Sequence, residues 1–516
     1  MPADPASARS TRSTRFARPP YAADPRRVAD ALRAADFTVD RVAGRLGERA
    51  GAALGRNTTL AALRALGGDD DPQATLLRLF VLQRTVGRDA AERALPGLVG
   101  PLSADGVLAE VAGRVAATVD IRPYGADEAS GAAVDGWVVA DHVPGLDGRV
   151  TRTRPDFVLS ASPASATLTQ LTIRRPAGRA LDLGTGCGVQ SLHLASHTER
   201  VVATDLNPRA LRLADLTLRL NGVADRVELR EGSLYEPVAA DRFDLIVSNP
   251  PYVMSPPRDP GARLSYREGD FLADELVARV VRGAGEMLTE GGTLQVLANW
   301  AHVAGQDWTD RLREWIEPTG CDALVLQREV LDPYEYIELW LADAGLVGSE
   351  EYAGRYAQWL AYFDGLGIEA VGLGWVSLHR AGHDRPHLQL EDWPHGVVQP
   401  VGAAFAAHQR GVALARRSDE ELLATSWRLV GTVQETYGAP GAADPEHIVL
   451  RQRTGFARAV AADTALAGVL GACDGDLPLG VIIGAVAQLL EADAEALRVE
   501  VVGRIRALVV DGFLVA

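Results

Sequence analysis

Leu181-Asp182-Leu183-Gly184-Thr185-Gly186-Cys187-Gly188-Val189-Gln190 is the stretch that decides the fold. An apolar run enters a turn with glycine at every second position and leaves it in residues suited to a helix, so the segment reads as strand, glycine turn, helix. The glycines let the backbone approach a ligand and enter the helix without side-chain clashes. The spacing is GxGxG. A dinucleotide turn needs GxGxxG, and Val189 stands at that third position, which disfavours a nicotinamide or flavin cofactor.

Outward from this turn, apolar runs and helical spacings alternate from about Gly136 to Gly402. Strands are expected at Ala180–Leu183, Val201–Asp205, Arg226–Arg230, Phe243–Ser248 and Thr293–Ala298. Several are continuously apolar, as in a parallel sheet buried on both faces, so the expected fold is α/β: a Rossmann-like, doubly wound, mostly parallel sheet.

The second strand ends in Asp205, 21 residues after Gly184. Both strand ends lie at one sheet edge, so this carboxylate is placed to accept hydrogen bonds from the ribose hydroxyls of a nucleoside held over the glycine turn. Asn207 as N-cap and Pro208 at the first helical position serve the helix that follows, leaving Asp205 for binding. A third element is Phe243-Asp244-Leu245-Ile246-Val247-Ser248-Asn249-Pro250-Pro251-Tyr252-Val253. The prolines fix the backbone and carry no N–H, so the Asn249 side-chain oxygen and the Pro250 carbonyl both present acceptors. Two convergent acceptors suit a planar –NH₂ group, with Tyr252 stacking on the flat system that bears it.

In order, LDLGTGCG, ATDLNPRAL, LREGSLYEP and FDLIVSNPPYV resemble a class I S-adenosylmethionine-dependent methyltransferase of the NPPY group, over roughly Asp156 to Trp300. That group includes HemK-type enzymes that methylate a glutamine amide in release factors, and enzymes that methylate exocyclic amines of adenine or guanine. The resemblance implies that Gly184, Gly186 and Gly188 run along the methionine part of S-adenosylmethionine, with Asp205 on the ribose. Ser233 and Leu234 would lie beside the adenine; Asp182, Thr185, Leu206 and Asn249 complete the implied cofactor set. Asn249, Pro250, Pro251 and Tyr252 would grip the target nitrogen, with no metal. NPPYV is closest to the HemK form. Two departures weaken the glutamine assignment specifically: Ser233 stands where many relatives have an acid, and Ser160–Ala166 replaces an arginine-proline motif ending in Thr-Glu.

The flanks are expected to be mainly helical, winged-helix-like modules at 24–130 and 401–516, around a methyltransferase domain at 131–400 and after a disordered tail at 1–23. The N-terminal module should close on a strand at Arg114–Pro123, and Gly125–Gly136 should link it to the domain. Helices at Tyr334–Ala344 and Glu350–Leu366 lie where the related fold has a tight hairpin, so a helical insertion near 331–366 is expected at the substrate mouth. His193 and His197 read as a surface helix pair, and His379, His383, His387 and His395 as a solvated loop. Cys187 should pack small against the cofactor, and most of Trp300, Trp308, Trp315, Trp340 and Trp359 should pack in the core.

The chain of 516 residues contains 68 acidic residues against 52 basic ones, every one an arginine, for a net charge of −16. The absence of lysine excludes Schiff-base, P-loop and kinase-type lysine chemistry. Residues 1–130 hold 18 arginines against 16 acids and residues 131–399 hold 24 against 38, so the acidic surplus is concentrated in the catalytic segment. Such a balance argues against coating nucleic acid by bulk attraction. Three scattered cysteines form neither a disulfide framework nor a zinc site, and neither a signal-peptide core nor a membrane-length apolar run is evident. A soluble, cytoplasmic protein with a macromolecular substrate is the expectation. The leading function is methylation of a protein glutamine. The alternatives are methylation of an rRNA or DNA base and, from another class, a cofactor-sensing nucleic-acid-binding regulator.

Overall fold

The computed structural model describes residues 15–126, 134–149, 153–257, 271–439 and 447–516. At its centre is a sheet whose strands are, in chain order, β1 (Ala177–Leu183), β2 (Thr198–Asp205), β3 (Val227–Glu231), β4 (Phe243–Ser248), β5 (Leu288–Val303), β6 (Asp322–Leu331), β7 (Ile368–His379) and β8 (Leu388–Asp392). They lie in the order β8-β6-β7-β5-β4-β1-β2-β3. β1 to β5 are mutually parallel, β7 runs antiparallel between β5 and β6, and β8 is parallel to β6. This is the Rossmann-like sheet the sequence implies, with β8 added at its edge.

Burial explains the parallel arrangement. Leu245, Ile246 and Val247 are consecutive in β4 and all buried, which requires cover on both faces. One face packs on the helix Pro208–Leu220 and on the N-terminal helices, through a core that joins Leu211 and Leu218 to Val28, Leu32 and Phe37. The other packs on Glu275–Met287 and Trp308–Ile316, through Val277, Val281 and Trp315. The chain runs from β1 outward to β2 and β3, then returns to the other side of β1 with β4. That reversal leaves a crevice beyond the carboxyl ends of β1 and β4, where open α/β sheets bind ligands.

The flanking units correct several sequence expectations. The strand foreseen at Arg114–Pro123 is two strands: Arg114–Ala117 pairs with Leu108–Val111, and Asp120–Ala126 begins a second hairpin with Val134–Ala140. The foreseen linker and the 130/131 boundary therefore fall within that hairpin; residues 127–133 lie outside the described residues. Its second strand is fastened to the helix Pro208–Leu220. Asn221 Nδ2 donates to the Trp137 carbonyl at 2.7 Å, Trp137 N–H donates to Asn221 Oδ1 at 3.1 Å, and Val139 N–H donates to Thr217 Oγ1 at 2.9 Å. A Cβ at Gly136 would lie 1.7 Å from Asn221 Oδ1, so glycine alone fits there.

The tail foreseen as disordered is ordered from residue 15, residues 1–14 being outside the described ones. Phe16 N–H donates to the Leu229 carbonyl at 2.9 Å, covering the free edge of β3, and Arg18 reaches the Ala224 carbonyl and the buried Asp215. Polar groups on an exposed sheet edge explain why a segment poor in apolar residues is nonetheless held.

The C-terminal unit places Arg428–Leu429 against Leu514–Val515 and folds the helices Thr464–Gly471, Leu479–Leu489 and Ala494–Val510 around Leu466, Ile483 and Ile505. Between the strand and those helices runs a three-stranded antiparallel meander, Thr432–Tyr437, His447–Gln452 and Ala459–Ala462, which the sequence reading did not foresee. The foreseen histidine loop is solvated only in part: His395 is exposed, whereas His379 ends β7 and His383 and His387 are half-buried beside the seam onto this unit. His383 Nδ1 bonds Asp322 at 2.8 Å, and Gln389 of β8 bonds His408 at 2.9 Å. Arg458, 6% exposed, donates to Glu391 at 2.6 Å, lies 3.4 Å from Asp511 and stacks over Trp393. No described helix is long and apolar enough to cross a membrane.

Candidate active site

Strand register assembles the site. Leu183 is level with both Thr204 of β2 and Ser248 of β4, and Asp205 is level with Glu231 of β3. The glycine turn, Asp205, the Gly232–Leu234 loop and Asn249 therefore leave the sheet together. Ser248 Oγ donates to the Leu183 carbonyl at 2.8 Å, tying the two sides of the switch point.

The turn is held from below. Thr204 O accepts the N–H groups of Gly184 and Thr185, each at 2.9 Å. Asp182 Oδ2 accepts the hydroxyls of Thr185 at 2.6 Å and Ser191 at 2.7 Å. Asp182 is 1% exposed, and burial pushes its carboxyl above the ordinary range against those hydroxyl bonds. Asp182 and Thr185, expected on the cofactor, have their polar side-chain atoms committed to each other under the turn. Gly184, Gly186 and Gly188 all have positive φ, at 79°, 55° and 85°. A Cβ on Gly184 or Gly186 would enter open space, whereas one on Gly188 would lie 3.2 Å from Ala214. The first two glycines leave room for a ligand; the third lets the turn pack on the next helix.

Asp205 Oδ2 accepts the Gly186 N–H at 2.9 Å and Oδ1 accepts the Asn207 N–H at 2.8 Å, so the carboxylate is aimed while each oxygen keeps acceptor capacity. Asn207 caps the helix as expected, its Oδ1 taking the Arg209 N–H at 2.9 Å. Burial raises the Asp205 carboxyl to about 6, opposed by these two N–H groups and reinforced by Asp182. Leu206 is 61% exposed at the rim. Ser233 and Leu234 form the next wall, Leu234 with a positive φ of 47°, a strained conformation for a branched side chain.

These residues surround a cleft of about 510 Å³ that includes Asn249, Pro250 and Pro251. Asn249 Oδ1 is buried and has no hydrogen-bond partner. Tyr252 departs from expectation. It is absent from the cleft wall; its half-buried ring meets Trp340 edge-on at 6.4 Å. The reason is the insertion, observed as helices Pro333–Asp343 and Tyr352–Leu366, whose aromatic core closes on Val253 and Met254. The Tyr336 hydroxyl accepts the Met254 N–H at 3.0 Å and an Asn299 N–H at 2.9 Å, bolting the loop in place.

Sequence reading missed the wall formed by Pro155 to Ser160, Ser162, Ser165 and Gln190. Ser160–Ala166 registered only as an absent motif, although Ser162 accepts the Ser165 N–H as a helix cap, a signal present in the sequence. Cys187 also lines the cleft, buried, with its thiol pushed up to about 12. His193 is buried rather than at the surface, bonded to the Tyr124 hydroxyl at 2.7 Å and lowered to about 3 by desolvation. Among the described residues no group of three or more histidine, cysteine or carboxylate side chains is arranged to hold a metal.

Comparison with known proteins fits this geometry. Residues 161–314 match the Methyltransferase small domain. This segment is similar to that family. The methyltransferase domain is preceded by residues 34–118, which match a domain of unknown function, DUF7059. A release factor glutamine methyltransferase of Aliivibrio fischeri is 45% identical over 149 residues, 27% of this chain and 50% of that protein. A ribosomal protein uL3 glutamine methyltransferase of Bradyrhizobium diazoefficiens is 34% identical over 125 residues, 22% of this chain and 39% of its own. A ribosomal RNA small subunit methyltransferase C of Idiomarina loihiensis is 31% identical over 137 residues, 27% of this chain and 36% of its own. The chain thus spans half or less of each of these relatives.

Proposed function

We propose that this chain is an S-adenosylmethionine-dependent N-methyltransferase whose acceptor is a protein glutamine. The carrying observation is the buried, unpaired Oδ1 of Asn249 in the cleft that also holds the glycine turn and Asp205. A buried acceptor without a donor is costly, which is reason to expect a ligand N–H there.

The residues present fit the cofactor. Gly184 and Gly186 leave open space over the turn, Asp205 offers two acceptor oxygens for ribose hydroxyls, and the cleft volume suits a nucleoside-sized ligand. When bound, S-adenosylmethionine supplies an electrophilic methyl group on a sulfonium. The chain's own task concerns the nitrogen. An amide nitrogen is a weak nucleophile because its lone pair is delocalised. Asn249 Oδ1 and the Pro250 carbonyl, accepting its two N–H bonds, orient it and stabilise the charge that develops during transfer. The fixed prolines and the Tyr336 bolt keep those acceptors from moving.

Glutamine is favoured over a nucleobase by charge. Residues 331–366, which pack on the acceptor loop, carry seven acidic side chains against Arg355 alone, a field that repels phosphate. Two of the relatives above are named for glutamine methylation. Radiolabelled S-adenosylmethionine incubated with the protein and with separate protein and RNA fractions of ribosomes, release factors and DNA should label protein. Asn249→Ala should abolish labelling while cofactor binding survives. Label in RNA or DNA would overturn the glutamine assignment, and full activity in Asn249→Ala would overturn the acceptor role of Asn249.

A further inference from the structure

Six residues of the cleft wall, Pro155 to Ser160, belong to neither matched segment. They come from the stretch between the N-terminal hairpin and the methyltransferase domain, and they lie across the cleft on the side of Asp205. Three contacts hold them there. Asn207 Nδ2 donates to the Asp156 carbonyl at 3.0 Å, from the residue whose own N–H supports Asp205. Val158 N–H donates to Asp141 Oδ2 at 2.9 Å, while Asp141 N–H donates back to the Val158 carbonyl at 3.0 Å. Finally, the Arg209 guanidinium grips the Asp141 carboxylate, its Nε lying 3.1 Å and 3.2 Å from the two oxygens and its Nη2 closing the second arm. Asp141 is 7% exposed. It follows directly on the strand Val134–Ala140, which is sewn to the same helix through Asn221 and Thr217.

We propose that Pro155–Ser160 is a lid over the cofactor cleft and that Asp141 is its latch, a positioning residue that reaches the cofactor only through Val158 and Arg209. The idea rests on the reading of the cleft as an S-adenosylmethionine site. Asp141 serves two elements at once, the lid through Val158 and the helix that follows Asp205 through Arg209. Its carboxylate therefore fixes the distance between the lid and the ribose acid. A bidentate, largely buried ion pair holds such a distance better than a single neutral hydrogen bond. Asp141, outside the methyltransferase motifs and directly after the N-terminal hairpin strand, thereby sets how long the cofactor stays.

The test is cofactor dissociation, followed by stopped-flow displacement of S-adenosylhomocysteine from the full chain and by calorimetry with S-adenosylmethionine. Asp141→Ala should speed dissociation about tenfold with little change in association rate, which is about 1.4 kcal/mol of affinity. Arg209→Gln should act in the same direction, and the double variant should add little to Asp141→Ala because both act through one contact. Asp141→Asn, which keeps the side-chain volume but sets an NH₂ against the guanidinium, serves where the alanine variant unfolds. A merely structural role would lower the melting temperature without altering dissociation from the folded fraction. Wild-type dissociation in folded Asp141→Asn or Asp141→Ala would overturn the latch alone. Absence of binding by the wild-type chain would overturn the cofactor reading and the latch with it.

Discussion

Protonation of Asp205 should control cofactor affinity in a defined pH window. Its carboxyl ordinarily titrates near 3.8 and is raised to about 6 in the fold, chiefly by burial, with the Asn207 and Gly186 N–H groups pulling the other way. The folded form therefore holds its proton more tightly than the unfolded chain. The cost of ionising it is absent below pH 3.8, grows between 3.8 and 6, and is complete above 6, where it reaches about 3 kcal/mol. Ribose hydroxyls donating to this group require the carboxylate, so binding must expel the proton whenever the free protein holds it. Affinity should be flat above about pH 7 and fall about tenfold per pH unit below 6. Calorimetry between pH 5 and 8, in buffers of different protonation enthalpy, should detect release of approaching one proton per cofactor at the acid end. Asp205→Asn replaces one acceptor by an NH₂ facing a backbone N–H, either that of Gly186 or that of Asn207. That clash burdens free and bound protein alike; the affinity loss comes from the ribose hydroxyl left without its acceptor, about 1–3 kcal/mol or roughly 5- to 150-fold in dissociation constant, and the pH slope should vanish. A dissociation constant that stays level from pH 5 to 7.5 without proton release, or an asparagine variant that binds like wild type, would refute the ribose role.

Two further perturbations separate packing from binding. Gly188→Ala meets both a φ of 85° and Ala214 atoms at 3.2 Å, so it should lower stability by about 2–4 kcal/mol in chemical unfolding; Gly186→Ala, strained by its φ of 55° but with open space around its Cβ, should lose less stability, about 1 kcal/mol, and should lose cofactor affinity as well. Arg458→Ala leaves Glu391 and Asp511 facing each other at the C-terminal seam, and should destabilise the chain by about 3–5 kcal/mol, seen as early protease cleavage within 401–516.

By itself the sequence determined the parallel strands β1 to β5 and the three loops at their carboxyl ends. Strands β1, β2 and β4 appear as apolar runs in LDL, VVATD and FDLIVS because each is buried on both faces, while the edge strand β3 shows the alternation of VELR, and local pattern records burial. Glycine spacing, the Asp205 position and Asn-Pro-Pro are similarly local, since each works through a few consecutive residues. What tertiary structure decided was who meets whom over long separations. Tyr252 leaves the cleft because Trp340 and Tyr336, more than eighty residues away, claim its loop. Asp141 reaches Arg209 and Val158 only because the hairpin lies along the helix after Asp205. The N-terminal bridge at Arg15 and Phe16 forms because β3 is the last strand of the sheet and its edge needs a partner, a fact of topology that no run of arginine, alanine and proline can announce.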